Sequence, residues 1–181
     1  MNSAPRTQTV YTVGHSTRSI GELAGLLTEA AIELLVDVRS LPRSRRHPQF
    51  NIEVLPGSLA PFGIDYKHLA ALGGLRDRPR EAPPSANTFW RNESFRNYAD
   101  YAMTGEFAAG MERLRGLANI NCCAIMCSEA VWWRCHRRII SDYLLTEGFE
   151  VRHIMGEREV KSAVLTPGAE KLPGGALVYP G

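Results

Sequence analysis

Apolar residues along the chain fall into short continuous runs, separated by longer stretches with helical spacing. The short runs have the length and the β-branched content of strands, and the run ELLVDV is apolar enough for a strand that is covered on both faces. Five strands are predicted on this basis, at 9–13, 33–38, 64–69, 122–127 and 149–154.

Between these runs, apolar residues recur at intervals of three and four, which is typical of amphipathic helices. The segment 19–32 shows this spacing, with Thr17 or Ser19 available as its N-cap. The segment 94–118 is predicted to form one or two helices, and 130–148 a single helix. Strands that alternate with helices favour right-handed crossovers and parallel pairing. We therefore predict an α/β fold with three α-β-α layers and a mostly parallel central sheet.

A chain of 181 residues is long enough for a single α/β domain, 1–181, with one core. We expect the core to span about 9–155, followed by an irregular tail at 156–181 in which ALVY resembles an edge strand. Hydrophobic residues make up 44% and charged residues 22%, as in soluble globular proteins. No apolar stretch approaches the roughly 18 residues of a membrane span, and the N-terminus lacks a secretory pattern. These features predict a cytoplasmic protein without membrane contact.

Three segments rich in polar residues directly follow predicted strands. GHSTRS follows the first strand, DVRSLPRSRR the second and MCSE the Cys-rich strand, and the next helix carries CHRR. Ligands of open parallel sheets bind beyond the carboxyl ends of the strands, so we expect these segments to line one pocket.

Several of these polar residues are candidates for binding an anion. The net charge of +2 is too small for a general nucleic-acid binder, but Arg39 and Arg43 lie in a locally basic loop, and Arg137 lies on the predicted helix. Ser16 lies in a loop that enters a helix N-terminus. Asp37 ends a buried apolar run and needs a partner, which Arg39, Arg137 or the histidine after the first strand can supply. Solvated arginines and a serine cap are the plain alternatives.

Four residues are candidates for catalysis. Cys127 is placed where a strand turns into a helix, and a helix N-terminus there would lower the pKa of its thiol and favour the thiolate. Glu129, His15 and His136 are candidates for proton transfer. A buried cysteine, an acid in a first helical turn and structural histidines are the competing interpretations.

Cys135 is interpreted as a packing residue, because it shares an apolar stripe of the predicted helix with Val131, Ile139 and Tyr143. In the cytosol all four cysteines are expected to be reduced. The interval of eight residues from Cys127 to Cys135 does not match the closely spaced ligand pairs of structural zinc sites. We therefore expect no metal and no cofactor.

The motifs also carry a resemblance. The segments TVGHSTRS, DVRSLPRSRR, GIDYKHLAALGG, FRNYADYA and IMCSEAVWWRCHRRII resemble the family called domain of unknown function 488, over about Tyr11 to Ile154. The paired MCSE and CHR blocks are the most specific part. The resemblance implies a compact α/β domain and a shared pocket, without an established reaction. Some members carry a DNA-repair label, which gives slight support to a nucleic-acid ligand.

Three functions agree with these residues. The first is an enzyme, a hydrolase or group transferase, that acts on a phosphate-bearing nucleotide or nucleic-acid component. The second is a non-catalytic module that binds nucleic acid through the same arginines and through nearby aromatic rings. The third is a thiol redox or metal protein. The sequence does not decide between these three functions, and it does not reveal the oligomeric state. The first two functions imply a small anionic ligand or a nucleic acid in the pocket, and the third implies reactive sulfur there.

Overall fold

The computed structural model describes residues 8–181. The strands are β1 (Thr9–Gly14), β2 (Leu34–Asp37), β3 (Asp65–His68), β4 (Cys123–Cys127), β5 (Glu150–Gly156), β6 (Glu159–Ser162), β7 (Glu170–Lys171) and β8 (Leu177–Val178). The α-helices are α1 (Ile20–Glu29), α2 (Leu55–Leu59), α3 (Glu93–Tyr101), α4 (Gly105–Ala118) and α5 (Arg137–Thr146). Among the described residues, no helix combines the length and the apolar character that a membrane span requires.

Six strands form the central sheet in the order β3-β2-β4-β1-β5-β6. The pairs from β3 through β5 are parallel, and β6 turns back to run antiparallel to β5 at the edge. Helices α3, α4 and α5 cover one face of the sheet, and α1 and α2 cover the other. The predicted three-layer α/β fold with a mostly parallel sheet is confirmed.

Strand β4 lies at the centre of the sheet between β2 and β1, and all of its residues are buried. Its side chains alternate between the two faces, as the pleat requires. Ala124 and Met126 pack with α1 and α2, whereas Ile125 and Cys127 pack in the cluster that includes α5. Cys127 therefore ends the most central strand on the side where α5 begins.

Helix α1 starts at a capping box. The Ser19 hydroxyl accepts a hydrogen bond from the Glu22 backbone N–H at 3.2 Å, and the Glu22 carboxylate accepts one from the Ser19 N–H at 2.6 Å. Ser19 rather than Thr17 is therefore the N-cap. The segment 94–118 forms two helices, α3 and α4, and Thr104 caps the second of them.

The predicted single helix at 130–148 is wrong over its first part. Residues Trp132–Arg134 form a 3-10 turn, Cys135 has extended backbone angles, and α5 begins only at Arg137. Val and Trp are weaker helix formers than most residues, and the Trp132 ring is instead stacked on His153 of β5 at 4.3 Å. Tertiary packing therefore overrides the helical spacing here.

The segment after Ile154 is more regular than the sequence indicates. It supplies β6 to the main sheet, and ALVY contributes β8, which pairs with β7 in a separate two-stranded sheet. Tyr179 directly follows β8 and is fully buried in the core, where its hydroxyl lies 3.0 Å from an Asp142 carboxylate oxygen. The tail thus closes one end of the α3-α4-α5 layer.

Candidate functional site

A cavity of about 530 Å³ opens at the carboxyl ends of β1, β2 and β4. The cavity is lined by the three segments that follow these strands. His15 lines it from the segment after β1, Arg39 from the segment after β2 and Glu129 from the segment after β4. Parallel pairing brings the segments together, because Gly14 at the end of β1 is in register with Cys127 at the end of β4. The polar segments, which are far apart in sequence, therefore meet at one site.

Two cysteines lie at the floor of this cavity. The Cys127 and Cys135 sulfurs are 2.7 Å apart, and both residues are buried. The Cys135 sulfur also accepts hydrogen bonds from the backbone N–H and the Nε–H of Arg137, each at 3.4 Å. Because Arg137 is the first residue of α5, the sulfur of Cys135 lies at the N-terminus of a helix, where negative charge is favoured.

His136 presents a proton-accepting nitrogen to Cys135. Its Nε2 lies 2.8 Å from the Val38 carbonyl oxygen, which can only accept, so Nε2 carries the hydrogen. Nδ1 is then free to accept and lies 3.4 Å from the Cys135 sulfur. Gly74 packs against this ring: a Cβ at position 74 would come within 2.4 Å of Nδ1. A glycine is therefore needed there.

The two thiols differ in acidity. Burial opposes ionisation of Cys135, but the hydrogen bond from the Cys127 thiol, His136 and Arg137 outweigh it and hold the pKa of Cys135 well below its usual value. Burial, together with hydrogen bonding to Cys135 and its charge, raises the pKa of Cys127 well above the usual value. These contacts favour the thiolate at Cys135 and the protonated thiol at Cys127.

The predicted low pKa of Cys127 is wrong, and so is the placement of Cys135 on a helical stripe. Both errors have one physical cause. Helix α5 begins at Arg137 instead of near position 130, so its N-terminal N–H group meets Cys135 and not Cys127. The residue interpreted as packing therefore has the ionised sulfur, and the predicted nucleophile is its protonated neighbour.

Arg39 is held at the cavity wall by a buried ion pair. Its guanidinium donates to both carboxylate oxygens of Asp37, with the shortest contact at 2.6 Å, and it also donates to the Phe50 carbonyl. The Tyr66 hydroxyl donates to the same carboxylate at 2.6 Å. Asp37 is fully buried and does not line the cavity. Asp37 fixes the orientation of Arg39, and Arg39 does line the cavity.

His15 is a neutral support for the same arginine. Its Nδ1 donates to the Ser16 carbonyl at 2.9 Å, and its Nε2 lies 3.3 Å from an Arg39 nitrogen and accepts from it. Burial, together with Arg39, lowers the pKa of His15 to about 4. Ser16 does not line the cavity, and its backbone N–H is used by the Ser128 carbonyl. This geometry favours positioning roles for both residues.

Arg137 and Glu129 lie on the other side of the sulfur pair. Arg137 is only 1% exposed and donates to the Glu129 carbonyl at 2.6 Å, so it supports the cysteines from behind and does not line the cavity. The Glu129 side chain is exposed at the cavity wall. Gly14 allows this loop to approach, because a Cβ there would lie 1.8 Å from the Glu129 carbonyl oxygen.

Both cationic and apolar residues line the cavity. Its cationic residues include Arg134 and Arg43, which pairs with Glu53 at the surface. Its apolar residues include two large exposed side chains, with Leu41 71% and Leu75 74% exposed. Further residues that line the cavity are Ser40, Ser44, His47, Phe95 and Tyr98.

Sequence reasoning missed Gly74 and Tyr98 as parts of the site. Gly74 makes room for the His136 ring, and Tyr98 lies edge-on to the same ring, with the centroids 5.0 Å apart. The paired glycines in LGGL were the available pattern, because a conformationally permissive residue in a loop is typical of a close approach. Within residues 8–181, no group of three or more His, Cys, Asp or Glu side chains is arranged to hold a metal ion.

Comparison with known proteins identifies the family. The model of the family described as domain of unknown function DUF488 matches residues 19–144, well over half of the chain. The chain is a member of the DUF488 family. The matched region of this DUF488 protein contains the MCSE and CHR blocks and the loop that carries Arg39. No curated protein matches the chain, and no solved structure matches it either.

Proposed function

We propose that this DUF488 protein is an enzyme, a hydrolase or group transferase, that acts on an anionic, phosphate-bearing ligand and uses Cys135 as its nucleophile. The observation that carries the proposal is the position of the Cys135 sulfur: it lies at the N-terminus of α5 beside Arg137 and His136 and opens onto a cavity with arginine in its wall. A thiolate, and not a thiol, is the attacking species in cysteine chemistry.

The parts of the site suggest a two-step transfer. The Cys135 thiolate attacks the phosphorus of the bound group, an S–P bond forms, and the bond from phosphorus to the leaving oxygen breaks. Glu129, exposed at the cavity wall, is the candidate acid that gives this oxygen a proton. Water or the hydroxyl of a second acceptor then attacks the phosphorus and gives its proton to the Glu129 carboxylate, and the S–P bond breaks to regenerate the thiolate. Arg39 would hold the anionic oxygens throughout, since Asp37 and His15 fix its guanidinium.

The size and lining of the cavity favour a small ligand with two unlike halves. Its volume of about 530 Å³ falls within the range of roughly 300–1,000 Å³ that is typical of sites for small molecules. An anionic group can bind to Arg39 and Arg134, while an apolar group can pack against Leu41 and Leu75. A nucleotide or a nucleic-acid component has both features.

The alternative function, binding of nucleic acid without catalysis, needs exposed aromatic rings on which bases can stack. Phe50 and Trp90 lie in the core, and Trp132 is stacked on His153. Trp133 is 44% exposed. The alternative predicts affinity for oligonucleotides that falls steeply with salt and with Arg43→Ala, without any product.

The proposal is tested by identifying its substrate and removing the sulfur. Small molecules retained by the purified protein would be identified by mass spectrometry, and phosphate esters of that class would be assayed for turnover. Cys135→Ser should remain folded and lose turnover by about 10³-fold or more, because a hydroxyl in this position is not ionised. Cys122→Ser, which changes a thiol outside the cavity, should keep the wild-type rate. Turnover of Cys135→Ser at the wild-type rate would contradict the proposal.

A further inference from the structure

The second sulfur at the floor of the cavity is not used in the proposed transfer. Cys127 lies 2.7 Å from Cys135, and a disulfide bond has a length of about 2.05 Å, so the sulfurs need to approach by only about 0.7 Å to bond. The other two cysteines are excluded by position, because Cys122 and Cys123 lie at the amino end of β4, the end remote from the cavity.

We propose that Cys127 and Cys135 form a redox pair that reduces a hydroperoxide in this cavity, with Cys135 as the attacking sulfur and Cys127 as the resolving sulfur. This second activity uses the same thiolate as the proposed transfer, but it needs neither the phosphate-bearing ligand nor Arg39, which would hold that ligand. The geometry that carries it is the contact between the two sulfurs, both of which line a cavity that a small molecule can enter.

The chemistry balances with peroxide as the oxidant. The Cys135 thiolate attacks one peroxide oxygen, an S–O bond forms, the O–O bond breaks, and the second oxygen leaves as water or alcohol after taking a proton from solvent. Cys135 is then a sulfenic acid. The Cys127 sulfur attacks the Cys135 sulfur, the S–S bond forms, and the S–O bond breaks. The hydroxyl group leaves with the Cys127 proton as water, and an external dithiol returns the disulfide to two thiols.

Oxidation of Cys135 changes the electrostatic surroundings of Cys127 in the direction that these reaction steps require. Before oxidation, burial and the negative charge on Cys135 keep the pKa of Cys127 high, while Arg137 acts in the opposite sense. Once Cys135 carries oxygen, its charge is gone, and Arg137 remains beside both sulfurs. Cys127 therefore becomes easier to ionise at the point when it has to attack.

The experiment uses the reduced full-length chain and hydrogen peroxide. After one equivalent of peroxide, the protein is denatured, alkylated with iodoacetamide and digested with trypsin. Cleavage after Arg134 separates the two cysteines, so a disulfide would link peptide 116–134 to peptide 135–137. We expect this linked pair in the wild type and in Cys122→Ser. With dithiothreitol as reductant, the wild type should consume peroxide at least about tenfold faster than Cys127→Ser or Cys127→Ala.

Without a resolving thiol, Cys135 in the Cys127 variants should stay at the sulfenic acid after one equivalent of peroxide and take up one or two further oxygens when two more equivalents are added. Circular dichroism of both Cys127 variants shows whether each remains folded, and either folded variant serves for the comparison. The redox pair is overturned if the wild type gives no linked peptide, or if the Cys127 variants give the same products as the wild type. Cys135→Ser would still abolish phosphate-ester turnover in that case, so the two proposals can fail separately.

Discussion

At the scale of single residues, one backbone carbonyl and one guanidinium decide which of two touching cysteines is ionised. The Val38 carbonyl fixes the hydrogen of His136 on Nε2, and Arg137 donates two hydrogen bonds to the Cys135 sulfur. The Cys127 thiol instead lies 3.9 Å from the Glu129 carbonyl, to which it can only donate. The sequence contained both cysteines and the basic residues around them, but the assignment depends on contacts that spacing does not reveal.

Gly74 provides a direct test of this arrangement. A methyl group at position 74 would lie about 2.4 Å from His136 Nδ1, so the ring must shift and its contact with Cys135 must change. We expect Gly74→Ala to raise the pKa of the Cys135 thiol, which reduces the thiolate fraction, and hence the alkylation rate at pH 6, by roughly tenfold. The measurement is the rate of iodoacetamide incorporation at Cys135 as a function of pH.

Gly116 is the matched control for this substitution. A Cβ at position 116 in α4 would meet nothing within 4 Å, so Gly116→Ala should leave alkylation unchanged and stabilise the helix by roughly 0.5–1 kcal/mol. In the same samples Cys122, whose pKa is raised by burial and by Glu33, should react only at higher pH. Equal pH profiles for Cys135 in the wild type and in Gly74→Ala would contradict the role given to His136.

At the scale of elements, the sequence predicted the strands of the sheet better than the ends of the helices. The run 122–127 is apolar throughout, and 33–38 is apolar except for Glu33 and Asp37; this apolar character is visible without knowledge of the neighbouring strands. The start of α5 depends on the contact between Trp132 and His153, which are far apart in sequence, so helical spacing alone placed it too early. The sequence of the tail predicts irregular structure because its strands are only two to four residues long and proline and glycine lie between them.

The tail is nevertheless predicted to be essential for stability. Tyr179 is fully buried, so Tyr179→Ala should lower the free energy of unfolding by about 3–5 kcal/mol, the range for large aromatic side chains in cores. Tyr179→Phe keeps the ring and removes only the hydroxyl that contacts Asp142, and it should cost about 1 kcal/mol. Urea unfolding followed by circular dichroism would measure both. A change below 1 kcal/mol for Tyr179→Ala would show that the tail is not part of the core.

At the scale of the whole molecule, parallel topology explains why the site could be located from the sequence. The segments after β1, β2 and β4 meet because neighbouring parallel strands end at the same edge of the sheet. The contributions of Gly74 and Tyr98 could not be predicted, because they reach the cavity from a loop and from α3 through packing between layers. The pattern of strands in the sequence therefore predicts which segments after the strands line the cavity. The remaining lining residues depend on tertiary packing.

The whole molecule should also lose stability in mild acid. His15 and His153 are buried, and burial lowers the pKa of each to about 4, whereas an unfolded histidine has a pKa of about 6.5. Between these values the unfolded state binds protons that the native state does not, so the free energy of unfolding falls as the pH decreases. The expected loss is roughly 1 kcal/mol per pH unit for each histidine within that window.

Urea denaturation at intervals from pH 7 to pH 4 would measure this dependence. A His153→Gln variant removes one of the two buried histidines. The part of the pH dependence of its free energy of unfolding that comes from these histidines should therefore be about half as steep. Stability that is constant between pH 6.5 and pH 4.5 would contradict the assignment of both histidines as neutral in the native state.

The position of Cys127 at the end of the most central strand has a consequence for how this scaffold could diversify. The two sulfurs are anchored in the same packed interior that keeps the protein folded, whereas Leu41, Arg43 and Leu75 are solvent-facing residues of loops. Replacing those loop residues should alter ligand preference at little energetic cost, while replacing the floor should disturb folding and chemistry together. Libraries in which only Leu41, Arg43 and Leu75 are randomised are therefore the practical starting point for engineering the site to bind new ligands.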